Sequence, residues 1–472
     1  MGYGEADTRA KLIDPAIHRR GWTEDLIRRE ETAGTIEVGL HGPQRRSRGR
    51  VDYVLRVKAT RESHPVAVAL IEAKAEHLPA SHGMEQAKLY AACKRLNVPF
   101  VYSSNGHQFV EYDRLTGKTT APASITEFPT PSDLRQRYEA TLGFSLDSEL
   151  ARPLLVPYSG GEATRRYYQD AAIRAVFEKV ANGNKRALLS LATGAGKTFI
   201  AVNLLKRIAD AGQLRRALFV CDRDELRAQG LGAFQNVFGA NAASVSGGNP
   251  QKNARVLVAT YQTLDVDRED SDANFLTTHY PQDYFSHIII DECHRSAWGK
   301  WSQVLTRNPN AIQVGLTATP RKLKTREPTR EAREDEKITA DNLLWFGEPV
   351  YEYDMAQGIE DGYLAACEIH RFDLFHDDQD KCERERGVDR ADLKGKTLTD
   401  PITGEALAAE QAQAHYDAPS IESRLLMPER VAEMCSSLFA ALLAHGGPEQ
   451  KTIVFCARDA HADRKSTRLN SS

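Results

Sequence analysis

Three short stretches of this chain gather residue types that handle phosphate. In Leu191-Ala192-Thr193-Gly194-Ala195-Gly196-Lys197-Thr198, two glycines precede a lysine and a hydroxyl residue. Glycines so placed let backbone N–H groups converge on a triphosphate at the positive end of a following helix. Thr193, Gly194, Ala195 and Gly196 then form the cradle, Lys197 reaches the β- and γ-phosphates, and the Thr198 hydroxyl binds Mg2+. Leu191 replaces the first glycine of the general pattern. Further on, Asp291 and Glu292 close the apolar run His287-Ile288-Ile289-Ile290. Ligands of parallel sheets sit at C-terminal strand ends, so Asp291 is expected to hold Mg2+ and Glu292 to polarise an attacking water.

The third stretch is Val68-Ala69-Leu70-Ile71-Glu72-Ala73-Lys74. Side chains alternate along a strand, which puts Glu72 and Lys74 on one face, where Asp52 from a neighbouring strand can join them. Two carboxylates and a lysine suit metal-assisted phosphodiester cleavage. Asp52 and Glu72 would coordinate Mg2+, which activates water, while the Lys74 ammonium stabilises developing charge. An exposed strand face accounts equally well for three such common residues. Beyond them, Gln86 and Tyr90 stand four apart on one helical face.

The surrounding elements must position these groups. Residues 8–30 carry spaced apolar positions and read as helical pieces, broken by Pro15 and Gly21. Strands at 51–57 and 66–74 pair, a helix covers 83–96, and Asn105-Gly106 between two apolar runs predicts a hairpin. This order describes a small mixed α/β domain at 1–125, followed by a connector at 126–160. From 161 to 350 apolar strands at 187–191, 217–221, 256–259, 287–290 and 313–316 alternate with amphipathic helices. That alternation means a parallel sheet with helices on both faces. The fold class is therefore α/β and multidomain. The charged stretches at 321–337 and 377–420 read as solvated surface loops.

Bulk properties narrow the function class. A chain of 472 residues exceeds one hydrophobic core and should form about three domains. Its net charge of −3 means that any nucleic acid must be held by local patches; Arg45, Arg46, Arg48 and Arg50, just before Asp52, offer one, or a solvated loop. Cys93, Cys221, Cys293, Cys367, Cys382, Cys435 and Cys456 are odd in number and never spaced Cys-x-x-Cys, against a disulfide framework or structural zinc. No signal-peptide core or membrane-length apolar run is present, so a cytoplasmic protein is expected.

The loop, Asp291-Glu292-Cys293-His294 and Gly315-Leu316-Thr317-Ala318-Thr319-Pro320 resemble motifs I, II and III of superfamily 2 helicases. The resemblance implies a RecA-like lobe in which Thr317 and Thr319 couple ATP hydrolysis to strand movement and Gln169 reads the adenine edge. It also implies that Arg223, in Val220-Cys221-Asp222-Arg223-Asp224-Glu225-Leu226, and Thr260, in Ala259-Thr260-Tyr261-Gln262-Thr263-Leu264, contact the DNA backbone. Helix capping by Asp222 or Thr260 is equally compatible with those segments.

Gln86-x-x-x-Tyr90 after Glu72-x-Lys74 resembles the signature of PD-(D/E)xK-type nucleases in restriction R subunits and recombination nucleases. Glu5-Ala6-Asp7-Thr8-Arg9, Gly21-Trp22, Asp52-Tyr53-Val54-Leu55 and Phe346-Gly347-Glu348-Pro349-Val350-Tyr351-Glu352-Tyr353 extend the likeness to the N-terminal portion of type I restriction-modification R subunits. Glu5 would either add a carboxylate to the metal site or cap a helix. The resemblance implies a type I site-specific deoxyribonuclease using ATP and Mg2+. It would translocate foreign duplex DNA and cut it, with methyltransferase (M) and specificity (S) subunits as partners.

Residues 351–447 read as an inter-lobe segment with a polar insertion, and Lys451-Thr452-Ile453-Val454-Phe455-Cys456-Ala457 resembles motif IV, the first strand of a second lobe at 448–472. That lobe is expected to be truncated, with 463–472 not native to it, so ATP binding with little DNA-stimulated turnover is expected. Two other readings stay open: a stand-alone helicase-nuclease of DNA repair, and a fragment that only binds ATP or DNA.

Overall fold

The computed structural model describes residues 2–32, 35–39, 42–46, 50–92, 94–157, 166–221, 224–246, 249–264, 275–293, 303–318, 342–365, 387–400, 402, 405–408, 411–417, 421–447 and 449–456. The chain divides into a unit at Met1–Ala366 and a unit at Cys367–Ser472.

Runs of branched and aromatic residues in the N-terminal third form one sheet. β1 (Ile27–Thr32) pairs antiparallel with β2 (Arg50–Val57), and β2 pairs antiparallel with β3 (Val66–Ala73). β4 (Phe100–Ser104) lies parallel to β3 and returns through the Asn105-Gly106 turn, with Gly106 at φ +88°, into antiparallel β5 (Gln108–Asp113). β3 is buried almost end to end, the pattern of a strand covered on both faces. The helices are α1 (Glu5–Thr8), α2 (Asp14–Arg19) and α3 (Met84–Ala91).

Three differences from the sequence expectation have physical causes. Ile27, expected in a helical piece, starts β1 because pairing with Leu55 buries it. α3 stops at Ala91 rather than at 96: Ala92 turns extended at ψ 160°, and the segment beyond is anchored by Arg174, which donates to the Leu96 and Asn97 carbonyls at 2.5 and 3.0 Å. The connector at 126–160 contains α4 (Pro131–Leu142), which buries Leu134 and Tyr138. Thr130 and Asp133 form a reciprocal capping box, Pro131 opens the helix, and Gly143 ends it at φ +75°, a full set of start and stop signals.

The second sheet follows the predicted alternation. Its seven strands are β6 (Arg186–Leu191), β7 (Ala217–Cys221), β8 (Ala242–Ser244), β9 (Val256–Thr260), β10 (His287–Ile290), β11 (Ile312–Thr317) and β12 (Tyr351–Tyr353). All pair in parallel, in the order β8-β9-β7-β10-β11-β6-β12. α5 (Tyr167–Ala181), α6 (Lys197–Asp210) and α7 (Asp224–Phe238) pack on it. β12 lies past the expected boundary at 350 because Val350 and Tyr351 complete the edge beside β6. One continuous hydrophobic cluster runs through both sheets.

The second unit is built around Val388, Leu393, Leu398, Tyr416, Ile421, Leu425 and Met427, with two short hairpin-like pairings and the helix Pro428–Ala444. The motif IV strand is a correction: 451–456 carries no strand, and Ile453 and Phe455 are exposed. Among the described residues no neighbouring strand offers it a ladder, without which an extended segment has no reason to pair. No helix of the described residues is long and apolar enough to cross a membrane.

Candidate active sites

The register Tyr53↔Ile71 sets Asp52 opposite Glu72, and both are buried with Lys74 at 7%, 2% and 9% exposure. Lys74 Nζ donates to Glu72 Oε1 at 2.8 Å and to Gln86 Oε1 at 3.3 Å, and Gln86 Nε2 donates to the Tyr90 hydroxyl at 2.9 Å. Glu72, Lys74, Gln86 and Tyr90 therefore form one hydrogen-bonded chain, with Asp52 facing Glu72 across the sheet. Glu72 Oε2 is buried with no hydrogen-bond partner among the described residues. Asp52 Oδ2 accepts from the Ala73 N–H at 2.7 Å, and Oδ1 accepts from Arg9 at 2.7 Å.

Burial, reinforced by Asp52, raises the Glu72 carboxyl to about 7 against the pull of Lys74. Asp52 is also raised by burial, opposed by the Ala73 N–H and Arg9. Burial works against the Lys74 cation, yet its hydrogen bond and charge pairing with Glu72 leave it above the usual lysine value. Two carboxylates held together at this depth suit a divalent cation. Mg2+ takes one or two carboxylates and completes its shell with water and phosphate oxygens. Among the described residues no third His, Cys, Asp or Glu joins them to make a larger metal-holding group. Glu5 Oε2 lies 3.9 Å from Lys74 Nζ, and the N-cap of α1 is Gly4 without a side-chain bond, so Glu5 is not a capping residue.

Sequence reasoning missed two supports of this cluster. Arg9 lies within the quoted N-terminal stretch, but nothing local shows that it reaches Asp52 from 43 residues away. Gly83 lets α3 approach: a Cβ there would come within 2.6 Å of Lys74 Cε and 2.9 Å of Glu72 Cγ. The side chains of the arginine run at 45–50 lie outside the described residues.

At the second sheet, β6 delivers the glycine loop and β10 the acidic pair to the same C-terminal edge. Gly194 and Gly196 adopt φ +83° and +84°, a region that side chains disfavour. Lys197 begins α6, is 8% exposed, and its Nζ lies 3.0 Å from Glu292 Oε1 and 3.4 Å from the Leu191 carbonyl. Thr198 follows on the first turn, half-buried, and Thr193 is exposed at the loop. Asp291 is buried, and burial plus the neighbouring Glu292 raise it to about 6 despite Lys197. Glu292 itself sits at φ +52°, a strained backbone of the kind that collects at functional sites.

Gln169 is fully buried against the loop: Nε2 donates to the Ala195 carbonyl at 3.1 Å, and Oε1 has no partner among the described residues. A Cβ on Gly196 would lie 2.5 Å from Gln169 Nε2, so the loop and this glutamine are fitted to each other. Tyr168, missed in the sequence, donates to the same carbonyl at 2.9 Å and stacks on Tyr353 at 3.9 Å. The backbone cradle and the lysine at the helix start fit a nucleoside triphosphate.

The "Type III restriction enzyme, res subunit" family model matches residues 162–322, the span of this second site. A type I restriction enzyme EcoAI endonuclease subunit of Escherichia coli is 31% identical over 98% of this chain and 53% of its own length. The chain is a homologue of type I restriction endonuclease subunits. The EcoKI endonuclease subunit of Escherichia coli is 24% identical over 78% of this chain and 32% of its own length. A solved fragment described as an HsdR subunit of a type I restriction enzyme from Vibrio vulnificus superposes at TM-score 0.68, 28% identical, covering all of this chain and 75% of its own. The chain thus spans about half, or less, of the curated endonuclease subunits it matches.

For Thr260, the capping alternative is the one its surroundings fit. Thr260 is 2% exposed, and its hydroxyl accepts from the Thr263 N–H at 3.2 Å and bonds the Thr263 hydroxyl at 2.8 Å. It closes the turn after β9, the local role that stood as the alternative to a DNA contact. Thr317 is buried at the end of β11. Arg223 and Thr319 lie outside the described residues.

Proposed function

We propose that this chain is the cutting and ATP-driven motor part of a type I restriction-modification endonuclease subunit, which moves along foreign duplex DNA and then cleaves it. The observation that carries the reading is the presence, in one compact unit, of a buried Asp52–Glu72–Lys74 cluster and a glycine loop facing an Asp–Glu strand end. Homology to type I endonuclease subunits supports it. Methyltransferase and specificity subunits are the partners this reading assigns, in a reducing cytoplasm.

In the cutting site, Asp52 and Glu72 would hold Mg2+. A bound Mg2+ supplies water activation and charge neutralisation at phosphorus. The chain's own contribution is orientation: Gln86 and Tyr90 fix the Lys74 ammonium, which stabilises negative charge on the phosphate oxygens. Arg9 keeps Asp52 aimed at the site. In the motor, the N–H groups of Gly194 through Lys197 would bind the triphosphate, Lys197 its terminal phosphates, and Thr198 and Asp291 the accompanying Mg2+. Glu292 would turn from Lys197 toward the attacking water, Gln169 would accept from the adenine, and Thr317 would couple the nucleotide site to strand movement.

The test is nicking of supercoiled plasmid with Mg2+ beside nucleotide binding. Lys74→Ala is expected to lower cleavage by about 10²–10³-fold, the usual cost of losing one charge-stabilising donor, with nucleotide affinity unchanged. Undiminished nicking by that variant would remove the nuclease assignment.

A further inference from the structure

The cutting-site lysine stands at the end of a line of contacts that begins beside the second sheet. Asp361 is buried at the end of the helix Met355–Glu360. Its Oδ2 accepts from the Tyr353 hydroxyl at 2.8 Å and from the Tyr167 hydroxyl, and its Oδ1 accepts from Gln357 Nε2 at 2.7 Å and from Arg95 at 3.2 Å. A carboxylate buried this way is costly unless it is paired and hydrogen-bonded, and four donors offset that cost. Three of them stand on β12, on α5 and on the helix itself, so the second sheet's half fixes the carboxylate and the carboxylate fixes the Arg95 guanidinium. Neither site described above includes Asp361 or Arg95.

Arg95 also lies against the cutting site. Its guanidinium sits 5.8 Å from the centre of the Tyr90 ring, within reach of a cation–π contact. Its carbonyl accepts from the Tyr351 hydroxyl at 2.5 Å, and the next N–H, of Leu96, donates to the Tyr90 carbonyl at 3.0 Å. α3 has eight residues, a length at which a helix has little stability of its own, so its last turn depends on such anchors. Tyr90 stands on that turn, and its hydroxyl accepts from Gln86, which in turn accepts from Lys74. We infer that Arg95, held by Asp361, is a positioning residue for DNA cleavage: it aims Tyr90, and through Gln86 the Lys74 ammonium, at the scissile phosphate. The inference rests on the nuclease reading above. Displacing a catalytic group by about 1 Å can cost about 100-fold in rate, and here the loss falls on the cutting step rather than on affinity.

A double-mutant cycle on Mg2+-dependent nicking of supercoiled plasmid by the full chain tests the inference. Arg95→Met is expected to lower the maximal rate by about tenfold to 100-fold, with KM for plasmid and circular dichroism unchanged. Tyr90→Phe removes the hydroxyl that carries the effect, so in that background Arg95→Met is expected to cost less than about twofold more. Asp361→Asn, which keeps the shape of the anchor and removes its charge, is expected to show the same loss and the same silence beside Tyr90→Phe. If Arg95→Met unfolds the chain, Arg95→Lys, which leaves Asp361 a cation but takes the flat guanidinium from the Tyr90 ring, is expected to fold and to lose part of the rate. Losses that multiply in the doubly substituted chain, or Arg95 variants that nick at the parental rate, overturn the inference and leave the nuclease reading in place. Nicking that survives Lys74→Ala removes that reading, and the positioning role falls with it.

Discussion

The two candidate sites solve the same problem, holding a lysine beside a carboxylate, by different means. In the first, Glu72 on β3 and Lys74 just past its end are two residues apart in sequence and 2.8 Å apart in space. In the second, Lys197 and Glu292 come from a helix start and a strand end and meet at 3.0 Å. The strand-borne pair is fixed by sheet register, and its chemistry resides in side chains. The other relies on backbone: two glycines at positive φ and a strained Glu292. A site built on strands tolerates loop changes and is sensitive to charge; a site built on a loop is sensitive to an added Cβ.

That contrast can be broken at three points. The largest expected effect is electrostatic and belongs to the strand site. Glu72 is raised from its ordinary value to about 7, so its proton stabilises the fold fully below the unfolded value of about 4.5. This contribution is lost as pH rises through about 7, and the shift corresponds to about 3 kcal/mol. Melting curves without divalent cations should therefore fall between pH 5 and 8 more steeply in the parent chain than in Glu72→Gln. Parallel curves would show that the carboxyl is not perturbed. The next effect belongs to the loop site. Gly196→Ala puts a Cβ against Gln169 at a φ that alanine disfavours and should weaken ATP binding by about tenfold or more, leaving Mg2+-dependent nicking intact; equal affinity by calorimetry would mean that the loop has room to relax. The smallest is at Thr260, where removing the turn hydroxyl with Thr260→Ala should cost about 1 kcal/mol in denaturant unfolding and leave DNA affinity unchanged.

Legibility in the sequence followed the same division. Strands of the second sheet are visible because parallel, doubly covered strands are short apolar runs bounded by polar residues, and β7 and β10 begin and end where those runs do. Glu72 and Lys74 are visible because strand alternation fixes their common face. Arg9 and Gly83 are not visible, since what they meet lies far along the chain. Thr260 shows the limit of motif transfer: the residue type fits a phosphate contact, and burial assigns it to a turn. The end of α3 was illegible for a related reason: Ala92 leaves the helical region at ψ 160°, and the carbonyls of Leu96 and Asn97 further on are held by Arg174 from far along the chain. The capping box of α4, in contrast, was written locally in Thr130, Pro131 and Asp133 and needed only to be weighed against the polar composition around it.

That grip of Arg174 on the Leu96 and Asn97 carbonyls has an evolutionary side. Together with the Tyr351 hydroxyl on the Arg95 carbonyl at 2.5 Å and the side-chain pair of Arg95 with Asp361 at 3.2 Å, it stitches the first sheet's half to the second's, partly through carbonyls that side-chain drift cannot rewrite. Recombination that swapped one half for a distant cousin's would have to bring along the matching tyrosine and arginines, so the two halves are expected to be inherited as a pair.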